Sequence, residues 1–183
     1  MSLEGVRWGR FAIGDLFNVE GTITTKPENL VKNGIVPRIT CAATNNGLED
    51  VYQNPATECG HVLTIDSATI GFVAYHEYDF IATDHVEKLT LCNCQLSKYL
   101  GLFFVTAIKS ATHQKYNYGY KFSQDRIRRQ TIIIPIDEAG RPDYAFMEKF
   151  IYSIEQRLIH DYVAHIMHKL RTPPPRKYLV YAA

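Results

Sequence analysis

The hydrophobic period of the chain changes near Pro142, and this change limits the possible folds more than any other feature. Beyond Pro142, apolar side chains recur at steps of three and four residues, the spacing of one face of a helix. Asp143 is a favourable N-cap residue, and the prolines from Pro173 to Pro175 end the pattern. We therefore predict one helix of about 27 residues, roughly 40 Å long.

Apolar residues of this helix occupy more than one narrow row. The main row, which we assign to contacts with a partner helix, comprises Phe150, Ile154, Leu158, Tyr162 and Ile166. A second row of Ile159, Val163 and Met167 lies beside it. A helix packed only on its own domain needs one apolar face. We therefore favour a projecting dimerisation arm, with a plain amphipathic helix buried on its own domain as the alternative.

Before Pro142, short apolar runs alternate with glycine, asparagine and proline. These runs predict strands over residues 11–17, 36–42, 61–65, 69–75, 86–91 and 131–136. Helices are predicted over residues 95–109, with Asn93 as the N-cap, and over residues 124–129 after Ser123. The chain thus divides into a mixed domain over residues 1–141, the long helix over 142–172 and a tail over 173–183, where residues 176–183 can form a strand.

Charge and composition leave the class of partner open. Lysine and arginine total 20 against 19 acidic residues, a net charge of +1, so only a local basic surface could bind nucleic acid. No apolar run approaches the roughly 18 residues of a membrane span. The four cysteines lack zinc-site or redox spacing and are typical of reduced thiols. We expect a cytoplasmic protein with no membrane partner and no bound metal.

Recognisable catalytic motifs are absent from the sequence. It contains no glycine-rich phosphate loop, no Gly-x-Ser-x-Gly elbow, no His-Glu-x-x-His pair and no Asn-Pro-Pro-aromatic methyltransferase motif. The side chains of His76, Asp79, Asp84 and His85 have the chemistry of a metal-dependent nuclease, which we keep as an alternative. We otherwise expect no catalytic residue and no cofactor in this chain.

Residues 115–129 combine basic and aromatic side chains. The segment holds five basic residues against one acid, Asp125, and aromatic residues alternate from Tyr116 to Phe122. Lysine and arginine neutralise phosphates, and tyrosine hydrogen-bonds the DNA backbone or base edges. The alternative is one buried strand face of aromatic residues with solvated charges outside. The DNA hypothesis assigns contacts here to Lys115, Tyr118, Lys121, Arg126, Arg128 and Arg129.

A polar loop over residues 37–47 offers base-reading chemistry. Arginine pairs with guanine and asparagine with adenine through two hydrogen bonds in the major groove. Arg38, Asn45 and Asn46 are therefore candidates, although Asn-Asn-Gly is also an ordinary turn signal. Thr40 and Tyr75 complete the predicted DNA-binding set.

Short motifs also follow one another in a characteristic order along nearly the whole chain. They comprise Trp8 and residues 13–17, 34–40, 45–48, 63–66, 70–75, 80–86, 98–100, 115–121, 132–135 and 140–148. This ordered set resembles the target-recognition domain of type I restriction–modification DNA specificity subunits and of related type II specificity chains. No single motif is specific, so the resemblance depends on their order.

The resemblance implies a mixed α+β fold with a twisted, partly barrel-like sheet, followed by a long spacer helix that pairs with its counterpart. It implies binding of double-stranded DNA and assembly with a methyltransferase (modification) subunit, with a restriction subunit as a further candidate partner. S-adenosylmethionine, ATP and magnesium would then belong to the partner subunits.

The chain departs from the family pattern in one respect. A full type I specificity subunit resembles two such units in tandem, whereas this chain has one. It can be a half-subunit that homodimerises through the helix, a fragment of a longer chain, or the separate recognition chain of another enzyme type. The alternative function is a protein-interaction domain that binds the methyltransferase without reading DNA.

Overall fold

The computed structural model describes residues 2–171, so the strand predicted over residues 176–183 lies outside the described residues. Strands and helices of the described part follow in the order β1 (Trp8–Ala12), α1 (Ile13–Leu16), β2 (Phe17–Gly21), β3 (Lys32–Ile39), β4 (Leu48–Tyr52), β5 (Val62–Asp66), β6 (Val73–His76), β7 (Ile81–Ala82), β8 (Val86–Leu91), α2 (Lys98–Thr112), α3 (Gln124–Arg129), β9 (Thr131–Pro135) and α4 (Tyr144–Arg171). The expected mixed fold with a long C-terminal helix is confirmed.

Within residues 2–171 the strands form three small open sheets. β1 pairs antiparallel with β9, a four-stranded antiparallel sheet has the order β2-β8-β5-β6, and a three-stranded sheet has the order β4-β3-β7. β3 runs antiparallel to β4 and parallel to β7. The helical turn α1 lies between β1 of the first sheet and β2 of the second, and the sheets stay separate and open, without the closure of a barrel.

The main core lies between the four-stranded sheet, α2 and the first turns of α4. Phe17 of β2 and Phe104 of α2 are almost fully buried, and their rings meet edge to face with centroids 4.9 Å apart. Met147 of α4 has no exposed surface. Full burial of a side chain of this size contributes about 1.5–3 kcal/mol, so this core fixes the positions of α2 and α4.

A second, smaller cluster holds the three-stranded sheet against the rest of the domain. Ile39 of β3, Ala82 of β7 and Val86 of β8 pack with Val62 and Phe80, and each is at most 4 % exposed. The end of β3 and the loop that follows it are therefore anchored by apolar contacts that are distant in sequence.

Element boundaries differ from the sequence predictions where side chains compete for backbone groups. The strand expected over residues 11–17 is interrupted by α1. α2 begins at Lys98, not after Asn93, because the Ser97 hydroxyl accepts a hydrogen bond from the Leu100 amide at 3.2 Å. The strand expected from Thr69 begins only at Val73, because the Asp66 carboxylate accepts from the amides of residues 68–70 and holds a turn there.

Helix α4 has a packed half and a projecting half. The Asp143 carboxylate accepts from the Phe146 amide at 2.9 Å, which confirms the expected N-cap. Further along, Glu155 accepts from the Lys98 ammonium at 2.6 Å and from the Tyr99 hydroxyl at 2.8 Å. Every residue from 156 to 171 is exposed. The second half of α4, residues 156–171, therefore projects from the domain, and we call it the arm.

No helix within residues 2–171 is both long enough and apolar enough to cross a membrane.

Candidate nucleic-acid interface

An aromatic stack orders the basic segment that follows α2. Phe122 and Tyr116 are buried and stack with ring centroids 4.0 Å apart, and Tyr120 stacks on Tyr116 at 5.7 Å. The guanidinium of Arg126 lies over the Tyr120 ring at 3.9 Å and donates to the Lys121 carbonyl at 2.6 Å. The stack leads from the core to the surface and ends in a fixed positive charge.

A small basic cavity opens beside this stack. Its volume is about 270 Å³, and it is lined by Lys115, Tyr116, Tyr120, Arg126, Arg129 and Gln130. Burial raises the pKa of Tyr116, whose hydroxyl stays protonated and donates to Gln130 Oε1 at 3.1 Å; the same oxygen accepts from the Lys115 ammonium at 2.6 Å. Three cations without a lining carboxylate form a site suited to an anion such as a phosphate.

The aromatic residues of this segment do not form one buried face. Tyr116 and Phe122 are buried, whereas Tyr118 is 79 % exposed, with the Lys121 ammonium 5.4 Å from its ring centre. Tyr118 lies at the tip of a tight turn closed by backbone hydrogen bonds between Asn117 and Tyr120. The turn therefore presents Tyr118 and Lys121 to solvent, next to the basic cavity.

Arg128 faces away from the cavity on the same short helix. Its guanidinium donates to the Val19 carbonyl at 2.7 Å and to Gln124 Oε1 at 2.9 Å, and it lies 3.5 Å from Asp125. These bonds tie α3 to β2. The structure thus separates Arg128 from Arg126 and Arg129, with which it was grouped as a phosphate contact.

The predicted polar loop contributes to a second opening, a cleft of about 360 Å³ at the end of β6. Asn45 and Asn46 line it, and both are exposed with left-handed backbone angles (φ 50° and 52°). The Thr40 amide donates to the Gly47 carbonyl at 2.8 Å and closes the loop. Neither asparagine amide bonds to another described residue, so both retain their donors and acceptors for a ligand.

Tyr75 and His76 form the floor of this cleft. The Tyr75 hydroxyl lies 3.1 Å from His61 Nδ1, and burial raises the pKa of Tyr75. His76 Nε2 lies 2.8 Å from the Thr64 hydroxyl, and burial lowers the pKa of His76 to about 4. Both side chains are half-buried and already bonded. Tyr75 therefore lines the cleft, but its hydroxyl is already hydrogen-bonded to His61.

The structure does not present Arg38 as a base-reading side chain. Arg38 is only 4 % exposed, its Nη1 lies 2.5 Å from Glu49, and its Nη2 donates to the Thr25 carbonyl at 3.0 Å. Its Nε has no hydrogen-bond partner among the described residues. Arg38 thus links β3 to β4 and to the chain before β3, and the expectation of a guanine contact does not fit its burial.

α2 lies between the cleft and the basic cavity along the chain. Lys98, Leu102 and Lys109 share a face because they are separated by four and seven residues. Lys98 and Leu102 line the cleft, while the Lys109 ammonium lies 4.3 Å from the Phe72 ring, beside the Gly71–Phe122 contact. α2 has 15 residues and is about 22 Å long. Lys98 at its start lines the cleft and Lys115, three residues beyond its end, lines the basic cavity, so the two openings lie near opposite ends of α2.

Two cleft residues were missed by sequence reasoning. Tyr78, which is 73 % exposed, and Lys98 both line the cleft. Tyr78 lies just after the end of a strand, where the sequence has no regular hydrophobic pattern. The sequence identifies Lys98 only as a residue in the first turn of a helix. Their contribution depends on the packing of α2 against β6, for which the sequence holds no local signal.

The predicted partner row on α4 is divided by the fold. Phe150 and Ile154 are half-buried and line an apolar groove at the base of the helix, whereas Leu158 and Tyr162 are 61 % and 67 % exposed. Ile166 is 36 % exposed. The last three lie on the projecting arm, and the first two belong to the domain surface next to it.

The groups considered for a nuclease are distributed over separate elements. His76 ends β6, Asp79 accepts from the Gly60 amide at 2.8 Å, and Asp84 and His85 lie in the turn before β8, 3.7 Å from each other. Within residues 2–171, no group of three His, Cys, Asp or Glu side chains is arranged to hold a metal ion.

Comparison with known proteins gives a consistent result. The model of the type I restriction modification DNA specificity domain matches residues 5–161. The type II restriction enzyme BgcI specificity subunit S.BcgI of Heyndrickxia coagulans is 30% identical over 161 residues, which cover 86% of this chain and 46% of that protein. This chain thus spans about half the length of that relative.

Solved structures share the fold at low sequence identity. The type I restriction–modification S subunit from M. genitalium matches with a TM-score of 0.54 and 13% identity, over 86% of this chain and 41% of that one. The HsdS subunit from Thermoanaerobacter tengcongensis matches with a TM-score of 0.54 and 8% identity, over 87% and 40% of the respective chains.

Proposed function

This chain belongs to the type I restriction modification DNA specificity domain family, and we propose that it binds double-stranded DNA in a sequence-specific manner for a restriction–modification system. The observation that carries the proposal is a basic cavity and an amide-lined cleft near opposite ends of α2. Cations fix a duplex through its phosphates, and asparagine amides can read base edges.

Different residues carry the two tasks in this proposal. Lys115, Lys121, Arg126 and Arg129 bind phosphates, whereas Asn45, Asn46 and Tyr118 reach base edges. The openings are separated by about the length of α2, roughly 22 Å. At about 3.4 Å per nucleotide along one strand, this distance corresponds to contacts about six base pairs apart. A compact half-site is therefore the expected target.

The experiment is a selection from a random duplex pool at low and moderate salt, followed by titration of the enriched duplex. Lys121→Ala and Arg129→Ala are each expected to weaken binding and to reduce the slope of log affinity against log salt by about 1. Asn45→Ala is expected to change the enriched sequence while leaving the salt slope unchanged. Lys149→Ala, which removes an exposed cation on α4, is the control and should change neither quantity.

Three results would contradict the proposal. Enrichment without any salt dependence would exclude the phosphate assignment. Failure to bind any duplex, alone or with a cognate methyltransferase, would favour a protein-interaction domain. Cleavage of DNA by the isolated chain with magnesium would favour the nuclease alternative.

The domain itself is proposed to be non-catalytic. In this proposal a methyltransferase subunit binds the chain and performs the chemistry with S-adenosylmethionine, while ATP and magnesium are used by partner subunits. A restriction subunit is a further candidate partner, and the cytoplasm is the expected compartment. Copurification with a cognate methyltransferase, and methylation that requires both chains, would test this assignment.

We further propose that two copies pair through the arm. Leu158, Tyr162 and Ile166 place apolar surface in solvent at helical spacing, which favours burial against a second helix. Because this chain spans 46% of the S.BcgI relative, a pair of copies would supply two recognition domains. Sedimentation should show a dimer that Leu158→Glu or Tyr162→Glu dissociates, whereas Ala164→Glu, on the polar side of the arm with Arg157 and Asp161, should leave it intact.

A further inference from the structure

An apolar groove opens at the base of the arm. It lies between the β1–β9 pair, α2 and the first half of α4, and its volume is about 680 Å³. Trp8 and Ile133 line it and are 42 % and 53 % exposed, although both are large apolar side chains. Arg10 is the one charged side chain among its described lining residues. An apolar segment is therefore the occupant that this surface fits.

The groove continues into the apolar surface of the arm. Ile151 and Ile154 line the groove, and Leu158 and Tyr162 extend the same face by further steps of four residues. A second helix lying on the arm would therefore be led to the groove. Phe103, Ala107 and Ala111 form the α2 wall, on a different face from Lys98, Leu102 and Lys109. Gln130 lines both this groove and the basic cavity, so the groove adjoins the phosphate-binding part of the proposed DNA surface.

The chain contains a segment of suitable chemistry beyond α4. After the prolines and Arg176-Lys177, the sequence reads Tyr178-Leu179-Val180-Tyr181. The apolar composition of this segment matches the apolar lining of the groove.

Chain length favours insertion into a second copy over insertion into the same copy. Ile154 and Arg171 are separated by 17 helical residues, or about 25 Å. The eight residues from Arg171 to Leu179 span at most about 28 Å when fully extended. Return to the chain's own groove would require an immediate reversal followed by full extension. In an antiparallel pair of arms, by contrast, Arg171 of one copy lies beside residue 156 of the other, next to the groove.

We propose that residues 178–181 of one copy occupy the apolar groove of the second copy in an antiparallel, arm-paired homodimer. This inference rests on the homodimer proposed above. Two-fold symmetry makes the exchange reciprocal, so each groove is filled once. The tail then extends the interface of the arms onto the two domains and fixes the angle between them.

Trp8 makes the test direct, because it is the only tryptophan in the chain and it lines the groove. Its emission and its quenching by acrylamide report whether the groove is filled. In the dimeric wild type, Trp8 should be protected. Leu179→Glu/Val180→Glu should shift the emission to longer wavelength and increase quenching, while sedimentation still shows a dimer held by the arms. Ala182→Glu/Ala183→Glu adds the same charge outside the apolar segment and should leave Trp8 protected.

Mixed dimers distinguish the two copies. A Leu179→Glu/Val180→Glu chain supplies the only Trp8, and a Trp8→Phe chain with the native tail is added in excess. Protection of Trp8 should return as the subunits exchange. The proposal would be overturned if the wild type formed no dimer, or if Trp8 stayed protected in the diluted monomer. It would equally be overturned if Trp8 emission were unchanged in the tail variant, or if the Trp8→Phe chain failed to restore protection. None of these readouts uses DNA, so DNA selection by the same preparation tests the proposed function separately.

Discussion

The guanidinium of Arg38 joins three segments that are far apart in sequence. It pairs with Glu49 on β4 at 2.5 Å and donates to the Thr25 carbonyl at 3.0 Å. Removing one partner of a largely buried pair leaves polar groups without partners, although Glu49 is partly solvated and this reduces the cost. Arg38 therefore holds β3 against β4, the two strands that flank the loop carrying Asn45 and Asn46.

The first prediction concerns Arg38→Ala. We expect its free energy of unfolding in urea to fall by about 1–3 kcal/mol, while the exposed Arg7→Ala control changes it by less than about 0.5 kcal/mol. The sequence enriched by the folded variant should be that of the wild type. An altered enriched sequence at unchanged stability would instead identify Arg38 as a base-reading residue.

The second prediction concerns His76, which burial keeps neutral with a pKa of about 4. Between pH 6.5 and pH 4 the unfolded chain binds more protons than the folded chain, so the free energy of unfolding falls as the pH falls. The His76 contribution is about 1–3 kcal/mol and is fully lost below about pH 4. His76→Gln should flatten this part of the stability profile in urea titrations at several pH values, whereas the exposed His160→Gln should not. Equal profiles for all three proteins would contradict the assignment.

At the scale of secondary-structure elements, α4 combines two environments in one helix. Met147 is fully buried against the core, whereas Met167 on the arm is 48 % exposed. The hydrophobic period is similar in both halves, and only the position of the domain differs. The first half therefore contributes to folding, and the second half is left available for association.

The third prediction compares two identical substitutions in this helix. Met147→Ala should lower the free energy of unfolding by about 2–4 kcal/mol, because it opens a cavity in the core. Met167→Ala should change it by about 0.5 kcal/mol or less, provided that the protein is dilute enough for association not to add to stability. Similar losses for the two variants in urea unfolding would mean that the arm is packed on the domain in solution.

At the scale of the whole molecule, the proposed DNA surface and the groove are neighbours. Gln130 lines both the basic cavity and the groove, and Lys98, which lines the cleft, donates to Glu155 at the base of the arm. Residues of the arm line neither the basic cavity nor the cleft, so pairing through the arm is compatible with the proposed DNA contacts. A two-fold pair of identical domains requires two identical half-sites related by the same symmetry.

The fourth prediction follows from this symmetry. A duplex with two inverted half-sites at the selected spacing should bind roughly 100-fold more tightly than a duplex with one, because the second contact is intramolecular. Tyr162→Glu should abolish this difference while retaining the affinity for one half-site. Equal affinities of the wild type for both duplexes in a binding titration would contradict a dimeric reader.

The sequence alone determined the element types that depend on local pattern. The three- and four-residue spacing after Pro142 predicted α4 and its cap at Asp143, the run from Val86 to Leu91 predicted β8, and the order of short motifs indicated the family. Periodicity and capping could be predicted because they depend on neighbouring residues, and the family because the order of motifs can be read directly along the chain. The site residues remain predictions, since no comparison tests them one by one.

Only the tertiary structure decided which polar and aromatic side chains are available at the surface. It buried Arg38, turned Arg128 towards Val19, separated Tyr118 from Tyr116, and added Lys98 and Tyr78 to the cleft. The three open sheets likewise arise from pairings between distant strands, such as β1 with β9. Burial and strand pairing depend on contacts between residues that are far apart in the chain. Local sequence does not determine which of these distant residues a side chain will contact.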